Sequence, residues 1–358
     1  MALTQVDQGL LSANAQYYGF KNRIINGAMV IDQRNAGASG TATGYTIDRW
    51  NASVALSTKG TWQQNAGSVT PPVGFTNYLG FTSNSAYTVG STEQFKFFQV
   101  IEGYNMADLA WGTANAATIT LSFWVRSSLT GTFGGALLNG AANRSYPFTY
   151  TISSANTWTQ ASVTIAGDTT GTWATNNTQG VYVQFGFGVG ATYSGTAGAW
   201  AGAYYASATG ATSVVGTNGA TFYITGVQLE KGSTATAFDY RSYGTELALC
   251  QRYYWIEPAS SYHVACLDGN LGEYVDAWVT HPVEMRTTPS GVFESINYFY
   301  YNNGSAGTNF FPAGGTTSYA GTAISGYMIK NIISNPPGAA QCQKLGQWNV
   351  KLSFSAEL

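Results

Sequence analysis

Apolar and polar residues alternate along most of this chain, and the alternation predicts β-strands. One such run is ITLSFWV and another is VYVQFGFGV. Successive side chains of a strand point to opposite faces, so each run predicts one buried face. The predicted inward residues are Ile119, Leu121, Phe123, Val125, Val181, Val183, Phe185 and Phe187. Further runs, bounded by Gly, Asn, Ser or Pro, also predict strands: VALST, TWQQN, YLGFTS, FKFFQVIEG, YPFTYTIS and TWTQASVTI.

The pattern changes between residues 222 and 254. FYITGVQLEKG alternates like a strand, and Gly226 within it predicts a bulge. An aromatic connector follows, and then a short helix for which Thr245 is the expected N-cap. The predicted segments are an N-terminal attachment arm (1–20), a β-sandwich (21–240), a connector with a short helix (241–256) and a smaller C-terminal β domain (257–358), the candidate receptor-binding part.

Composition narrows the range of partners. Charged residues make up 9% of the chain and aromatic residues 15%, whereas an average soluble domain has about 25% charged residues. A net charge of -2 provides no basic field for nucleic acid or an anionic membrane surface, so neither is an expected partner. No apolar run predicts membrane insertion, and MALTQVDQGL lacks the features of a signal peptide. We expect the chain to be made and kept in a cytosol.

Residues 226–254, GVQLEKGSTATAFDYRSYGTELALCQRYY, resemble the junction of a family of tailed-bacteriophage virion proteins, commonly fibre or receptor-binding components. THPVEMRTTPSG, with Pro282, Met285, Arg286 and Pro289, and the terminal AEL resemble the same family. The resemblance implies a virion protein that is assembled in the host cytoplasm. It also implies that the N-terminal arm binds other virion proteins.

LSFWVRSS, TWTQASVTI and VYVQFGFG resemble the middle and late strands of carbohydrate-binding modules with a jelly-roll sandwich. Two stacked antiparallel sheets also protect most strand edges. The predicted fold class is all-β: a jelly-roll β-sandwich, a short linker helix and a smaller C-terminal β-sandwich domain.

The segment around RIINGAMVI predicts a first strand that is interrupted by an Asn26-Gly27 turn. Four charges follow it, and we expect arginine–carboxylate bridges among Asp32, Arg34, Asp48 and Arg49. The remote likeness to carbohydrate-binding modules leaves calcium at Asp32 or Asp48 as an alternative. The three cysteines are odd in number and widely spaced, which predicts buried thiols and not a disulfide framework or a metal site. No metal or other cofactor is predicted.

Aromatic side chains at the surface are the expected ligand contacts, because the apolar faces of sugar rings stack on them. Among the tryptophans of the first domain, Trp173 and Trp200 lie in Gly- and Thr-rich stretches and are expected to be the more exposed. INYFYYNNGSAGTNFFPAGGTTSYAG combines aromatic with small polar residues, as antibody paratopes do. The candidate ligand-binding residues are Tyr298, Tyr300, Tyr301, Phe310, Trp173 and Trp200. Closing a hydrophobic core is the alternative role for each of them.

No catalytic activity is predicted. The sequence has no GxSxG elbow, HExxH helix, phosphate-binding glycine loop or zinc-ligand spacing. Asp276, His281 and Glu284 have the chemistry of an acid–base site, but solvent-facing charges on a strand are the simpler interpretation.

These observations predict a tail-fibre or spike subunit that attaches to the particle and binds a glycan or receptor of the host surface. A homotrimer is expected, because the low charge and the stretch AYYASATGATSVVGTNGA suit contacts between subunits and the short helix needs support. One alternative is a capsid decoration or head-fibre protein with a purely structural role. A second is a secreted carbohydrate-binding or depolymerising module, which would need an export signal.

Overall fold

The structure, a computed structural model, describes residues 21–257, 265–267, 274–296, 299–302, 308–311, 317–322, 326–332 and 350–358. Side-chain environments are described for residues 21–256, 280–290 and 353–358. The chain divides between Ser242 and Tyr243 into two compact units. The predicted N-terminal arm, residues 1–20, lies outside the described residues.

The first unit contains two antiparallel sheets that pack face to face. One sheet consists of β1 (Gly44–Ile47), β2 (Trp50–Val54), β5 (Gln94–Glu102), β10 (Gln179–Val189), β7 (Gly131–Asn139) and β8 (Ser145–Ile152), in that order. The other consists of β3 (Gly60–Gln64), β4 (Leu79–Ser83), β13 (Thr221–Lys231), β6 (Ile119–Ser127) and β9 (Thr159–Ile165). Consecutive strands cross repeatedly from one sheet to the other, so the predicted all-β jelly-roll sandwich is confirmed.

The core lies between these sheets. All the predicted inward residues of β6 and β10 are 0% exposed, which confirms their assignment to the buried face. The ring of Phe81 on β4 stacks on Phe187 of β10, with ring centroids 4.1 Å apart. Phe123 of β6 meets Phe185 of β10 edge to face at 4.9 Å. The inner face of the six-stranded sheet is therefore filled by core side chains.

Two local predictions can be compared with the backbone. The predicted bulge at Gly226 is confirmed: the pairing of β13 with β6 shifts register between Thr225 and Gln228, and Gly226 has φ +60°. The predicted first strand around RIINGAMVI is wrong, because the described segment contains a turn at residues 25–28 and no strand. Its backbone is bound instead by Asn26, whose amide donates to Ile31 O (2.8 Å) and Asp48 O (2.9 Å).

The charged side chains near the start of the chain mostly interact with groups that are close to them in sequence. Asp48 is buried, accepts from Gln33 Nε2 at 2.8 Å and lies 3.7 Å from Arg34, so one expected arginine–carboxylate bridge is present. Asp32 accepts instead from the backbone amides of Asn35 (2.9 Å) and Gly37 (2.7 Å). Among the described residues, no group of three or more His, Cys, Asp or Glu side chains is arranged to hold a metal ion.

A long connection between β10 and β13 crosses the outer face of the six-stranded sheet. It contains two short parallel strands, β11 (Ser194–Gly195) and β12 (Ser207–Ala208). Ser145 of β8 binds it through reciprocal backbone hydrogen bonds with Ala201 and a bond from Oγ to Ala203 O. Ala206, Ser207 and Ala208 are buried. We call residues 191–212 the strap. Part of the stretch that was predicted to contact other subunits is thus buried within its own unit.

Short 3-10 helices complete the first unit at Ser57–Lys59, Ala66–Ser68, Gly103–Asn105, Ala107–Leu109 and Ala191–Tyr193. The second unit begins with helix α1 (Tyr243–Gln251). The helix starts two residues before Thr245, so Thr245 lies in its first turn and the predicted N-cap is wrong. Cys250 is buried and forms no disulfide with a described residue, so the prediction of a buried thiol is confirmed for this cysteine.

The described strands of the second unit form separate antiparallel groups. A three-stranded sheet contains β14 (Tyr254–Glu257), β22 (Val350–Ser355) and β17 (Ser290–Ile296). A four-stranded sheet contains β15 (Ala265–Leu267), β16 (Tyr274–Val279), β21 (Gly326–Ile332) and β20 (Thr317–Thr322), and β18 (Phe299–Asn302) pairs with β19 (Thr308–Phe311). This all-β content agrees with the predicted fold class.

Candidate functional site

The outer face of the six-stranded sheet carries partly buried aromatic residues. Cross-strand partners place Tyr45 (β1) opposite Asn51 (β2), Asn51 opposite Phe98 (β5), and Phe98 opposite Gln184 (β10). Partners directly opposite one another share a face, so these four side chains form one row across four strands. Since Phe97 and Phe185 belong to the core, the row lies on the other face.

Two further tyrosines approach this row from the strap. The hydroxyl of Tyr204 donates to Gln94 Oε1 at 2.9 Å, and its ring meets Tyr193 edge to face at 5.1 Å. Tyr182 of β10 lies 6.0 Å from Phe98, ring to ring. We use the term aromatic face for the following residues: Tyr45, Phe98, Tyr182, Tyr193, Tyr204, Asn51, Ser53, Gln94, Lys96 and Gln184. All five of its rings are partly buried, so each also retains solvent contact.

Lys96 of β5 is the charged residue of the aromatic face. It is 6% exposed, and Nζ donates to Gln184 Oε1 at 2.5 Å and to Tyr204 Oη at 2.7 Å. Nζ also lies 5.2 Å from the ring centroid of Phe98. In the part of the chain that the structure describes, no carboxylate forms an ion pair with Lys96. Burial in this setting lowers the pKa of Lys96 to about 7.

Two amide side chains of the aromatic face have buried polar atoms that make no hydrogen bond to any described residue. These atoms are Nε2 of Gln184 and Oδ1 of Asn51. Gln184 is 0% exposed, and its Oε1 already accepts from Lys96. A buried polar atom without a hydrogen bond costs about 1–3 kcal/mol. The aromatic face therefore retains unused hydrogen-bonding capacity, and that of Gln184 lies next to Lys96.

A cavity of about 410 Å³ lies on the same side of β10, towards the end of that strand. Gly186 and Gly188 form part of its wall, and Ser207 of the strap, Ser213 and Tyr87 are also among its lining residues. Ser213 Oγ is buried and has no hydrogen-bond partner among the described residues. The lining contains small residues and hydroxyl groups and no charged side chain. Such a cavity suits a small neutral polar group.

Trp173 and Trp200, predicted as ligand-binding residues, are brought together by the fold. Their ring centroids are 5.3 Å apart, and both rings meet Trp111, at 4.7 and 5.3 Å. All three pairs are edge to face, with interplanar angles of 75–79°. Both predicted residues are partly buried against the main core, whereas Trp111 is 7% exposed.

The three indole N–H groups of this tryptophan cluster all donate to backbone carbonyls. The acceptors are Ala117 O for Trp111 (2.8 Å), Thr170 O for Trp173 (3.1 Å) and Ala166 O for Trp200 (2.8 Å). Edge-to-face packing forms no flat platform, and no indole donor is left for a ligand. The geometry favours a packing role for the cluster, and ligand binding by Trp173 and Trp200 stays a prediction.

A paired ion bridge fixes the loop next to this cluster. Arg144 donates to both oxygens of Asp168, at 2.7 and 2.8 Å. Burial disfavours the charge of Asp168, but hydrogen bonds from Arg144 and Thr170 outweigh it and hold the pKa of that carboxyl below its usual value. The pair therefore remains ionised and structural at neutral pH.

The predicted ligand residues of the second unit lie in or near the pair β18–β19. Tyr298 lies outside the described residues. Tyr300 pairs with Phe310 and Tyr301 with Asn309, so these residues lie on two antiparallel strands. Ligand binding by Tyr298, Tyr300, Tyr301 and Phe310 stays a prediction.

The acid–base combination of the second unit is only partly described. His281 is 7% exposed, and its Nδ1 accepts the indole N–H of Trp255 at 3.1 Å. Glu284 is exposed, and the side chain of Asp276 lies outside the described environments. The contact with Trp255 gives His281 a packing role in this unit.

The aromatic face was missed at the level of sequence, although a signal for it was present. In VYVQFGFGV, Val181 and Val183 are inward, so Tyr182 between them is necessarily an outward aromatic residue. The same argument applied to FKFFQVIEG makes Lys96 and Phe98 outward once Phe97 is inward. The sequence signal for the aromatic face is therefore an outward aromatic residue on a strand whose inner face is already filled.

No helix among the described residues is long and apolar enough to span a membrane. No protein-family model matches the chain, and no curated protein matches it.

Several solved structures are similar to part of the chain. A candidate sugar-binding protein from Bacteroides thetaiotaomicron is 12% identical over 59% of this chain and 100% of its own, with a TM-score of 0.36. TmCBM61 in complex with β-1,4-galactotriose is 10% identical over 59% of this chain and 99% of its own (TM-score 0.30). A family 11 carbohydrate-binding module from Clostridium thermocellum, in complex with a β-1,3-1,4-mixed-linked tetrasaccharide, is 9% identical over 55% and 98% (TM-score 0.29). Likeness at this level assigns no ligand to this chain.

Proposed function

We propose that this protein is a non-enzymatic glycan-binding protein and that the aromatic face of the first unit holds the sugar. The observation that carries the proposal is the row Tyr45–Asn51–Phe98–Gln184, in which aromatic rings alternate with amides across one sheet face. Sugar rings present apolar C–H faces and a rim of hydroxyl groups. Aromatic rings pack against the C–H faces, and amide side chains form hydrogen bonds with the hydroxyl groups.

Three features of the aromatic face support ligand binding over a purely packing role. The core residues point the other way, so these rings are not needed to close the sandwich. The rings keep partial solvent exposure although neighbours crowd them. Finally, Gln184 and Asn51 have buried polar atoms without partners among the described residues, which a ligand hydroxyl would satisfy.

The biological setting that we propose is the virion of a tailed bacteriophage, in which the chain serves as a fibre or spike subunit that reads the host surface. What supports this setting is the resemblance of residues 226–254 to the junction of such proteins. Host-surface glycans are the partners that such a subunit meets. Antibody labelling of intact particles tests the position: label on the tail supports the proposal, and label confined to the capsid supports a decoration role.

Glycan binding is tested by screening the full-length protein on an array of bacterial surface oligosaccharides and comparing point variants. Phe98→Ala and Tyr182→Ala should each weaken binding to the best glycan about tenfold or more, which corresponds to about 1.4 kcal/mol. Tyr104→Ala is the matched control, because Tyr104 is 61% exposed and is not part of the aromatic face. Equal binding by all three variants would place the glycan elsewhere, and no binding to any glycan would contradict the function itself.

A further inference from the structure

Packing does not explain why the charged side chain of Lys96 is buried. A cation buried without a counter-charge costs several kcal/mol, and an apolar residue of similar volume would be the more stable choice at such a site. In the described part of the chain, Lys96 has only neutral partners, the amide of Gln184 and the hydroxyl of Tyr204. Buried charges whose pKa is strongly shifted cluster at functional sites.

Lys96 and its neighbour Gln184 have hydrogen-bond donors that an anion could accept from. A lysine ammonium has three hydrogens to donate, and two of them go to Gln184 Oε1 and Tyr204 Oη. Beside it, Nε2 of Gln184 is a buried donor without a partner among the described residues. One negatively charged oxygen at this point would accept from both groups. Phe98, whose ring centroid lies 5.2 Å from Nζ, offers a sugar ring a contact surface next to that position.

We propose that the ligand of the aromatic face is an acidic glycan and that Lys96 recognises its carboxylate group. This inference rests on the proposed function, since it assigns a chemical class to the glycan held by the same face. The carboxylate of a uronic acid residue is a planar anion attached to a ring with apolar C–H faces. The ring packs against Phe98, and the carboxylate accepts from Lys96 and Gln184.

The assignment implies that affinity depends on pH. Burial lowers the pKa of Lys96 to about 7 in the free protein, so at higher pH the amine must take up a proton when a carboxylate binds. Affinity for an acidic glycan should therefore fall about tenfold per pH unit above pH 7. The titratable groups that face Lys96 are the phenols of the aromatic face. Burial raises the pKa of both Tyr204 and Tyr182, so these two stay neutral in this range.

Matched pairs of oligosaccharides test the inference: oligomers of galacturonic acid against galactose, glucuronic acid against glucose, and mannuronic acid against mannose. Binding of the full-length protein is measured by calorimetry at pH 6.0 and 8.5. We expect an acidic member to bind at least tenfold more tightly than its neutral partner at pH 6.0. We also expect that preference to shrink at pH 8.5 and to disappear in Lys96→Met. Lys59→Met is the control, because Lys59 also lies over a tyrosine ring, that of Tyr87 at 5.5 Å, outside the aromatic face.

The outcomes separate the inference from the proposed function. If a neutral oligosaccharide binds as well as its acidic partner, and Lys96→Met binds like wild type, the acidic class is wrong while glycan binding stands. If no member of any pair binds at millimolar concentration, both fail. A thermal melt of each variant confirms that it is folded, and a folded Lys96→Met that keeps the acidic preference overturns the role of Lys96.

Discussion

Lys96 shows what a single residue of this chain reveals only after folding. In the sequence it is one of 15 basic residues and stands within a strand-like run. The alternation of that run predicts an outward side chain, and outward lysines are ordinarily solvated. The strap changes this outcome, since Tyr204 comes from a position more than a hundred residues away and covers the ammonium group. Long-range cover of this kind leaves no local trace in a sequence.

Burial of Lys96 predicts a pH-dependent stability. Its pKa is about 7 in the folded chain against an ordinary value of 10.5, so the unfolded chain binds more protons between these limits and stability rises with pH there. At 1.36 kcal/mol per pK unit, the contribution reaches at most about 4–5 kcal/mol. Denaturant unfolding of wild type and Lys96→Met at pH 7, 8, 9 and 10 should show the variant's relative advantage shrinking as pH rises. A constant difference would show that the amine is not buried as described.

The segment around Asn26 shows that a local pattern can predict a turn correctly and still misassign the residues beside it. The Asn26-Gly27 pair correctly predicts a turn, and Asn26 has φ +57°. The flanking apolar residues were assigned to a strand, yet the backbone N–H and C=O of Ile31 both bond to the side chain of Asn26. Because an asparagine side chain carries both a donor and an acceptor, it can replace strand pairing for one segment. Nothing in the local pattern distinguishes the two arrangements.

At the scale of elements, alternation identified most strands but missed β7. Its sequence GTFGGALLN contains three glycines and so has the composition of a turn. The structure gives a steric reason for two of them: a Cβ at Gly135 would lie 2.2 Å from Gln184 O, and one at Gly134 would lie 2.5 Å from Ser207 Oγ. Close approach by β10 and the strap, and not a turn, requires glycine here. The bulge at Gly226 could be predicted, because a single glycine within an otherwise clear strand pattern indicates a bulge.

Gly135→Ala should therefore be severely destabilising. The added methyl group meets a backbone oxygen of β10, which cannot move without disturbing the sheet, and overpacking of this kind costs about 1–3 kcal/mol. Gly198→Ala is the comparison: nothing lies within 4 Å of its Cβ, and only its φ of +89° opposes alanine, at about 1 kcal/mol. Urea unfolding followed by tryptophan fluorescence measures both. If Gly135→Ala is no less stable than Gly198→Ala, β7 is not packed as described.

At the scale of the whole molecule, the fold class followed from patterning, but the location of the candidate site did not. Alternation and composition suffice for an all-β sandwich because each strand carries its own inward face. The aromatic face combines residues of β1, β2, β5, β10 and the strap, which are separated by up to about 160 positions. Its existence depends on strand order, and strand order is not encoded in any one run. The Gly- and Thr-rich stretches around Trp173 and Trp200 predicted exposed rings, whereas the structure packs these two rings against each other.

The predicted homotrimer is a property of the whole molecule as well. Size-exclusion chromatography with light scattering of the full chain at micromolar concentration should give three times the 38.0 kDa of one chain. Dilution to nanomolar concentration then tests whether the trimer persists without dissociating. A mass of one chain throughout would contradict the trimer, and glycan binding by the aromatic face would then be a property of the monomer.

A crystal structure of the protein with the tightest oligosaccharide from the array would show whether the aromatic face holds a glycan. We expect a sugar ring packed against Phe98 or Tyr182, with a hydrogen bond to Gln184 or Asn51. Glycan binding by the aromatic face is refuted if the sugar lies at Trp173 and Trp200, or at the β18–β19 pair of the second unit, while the aromatic face holds none.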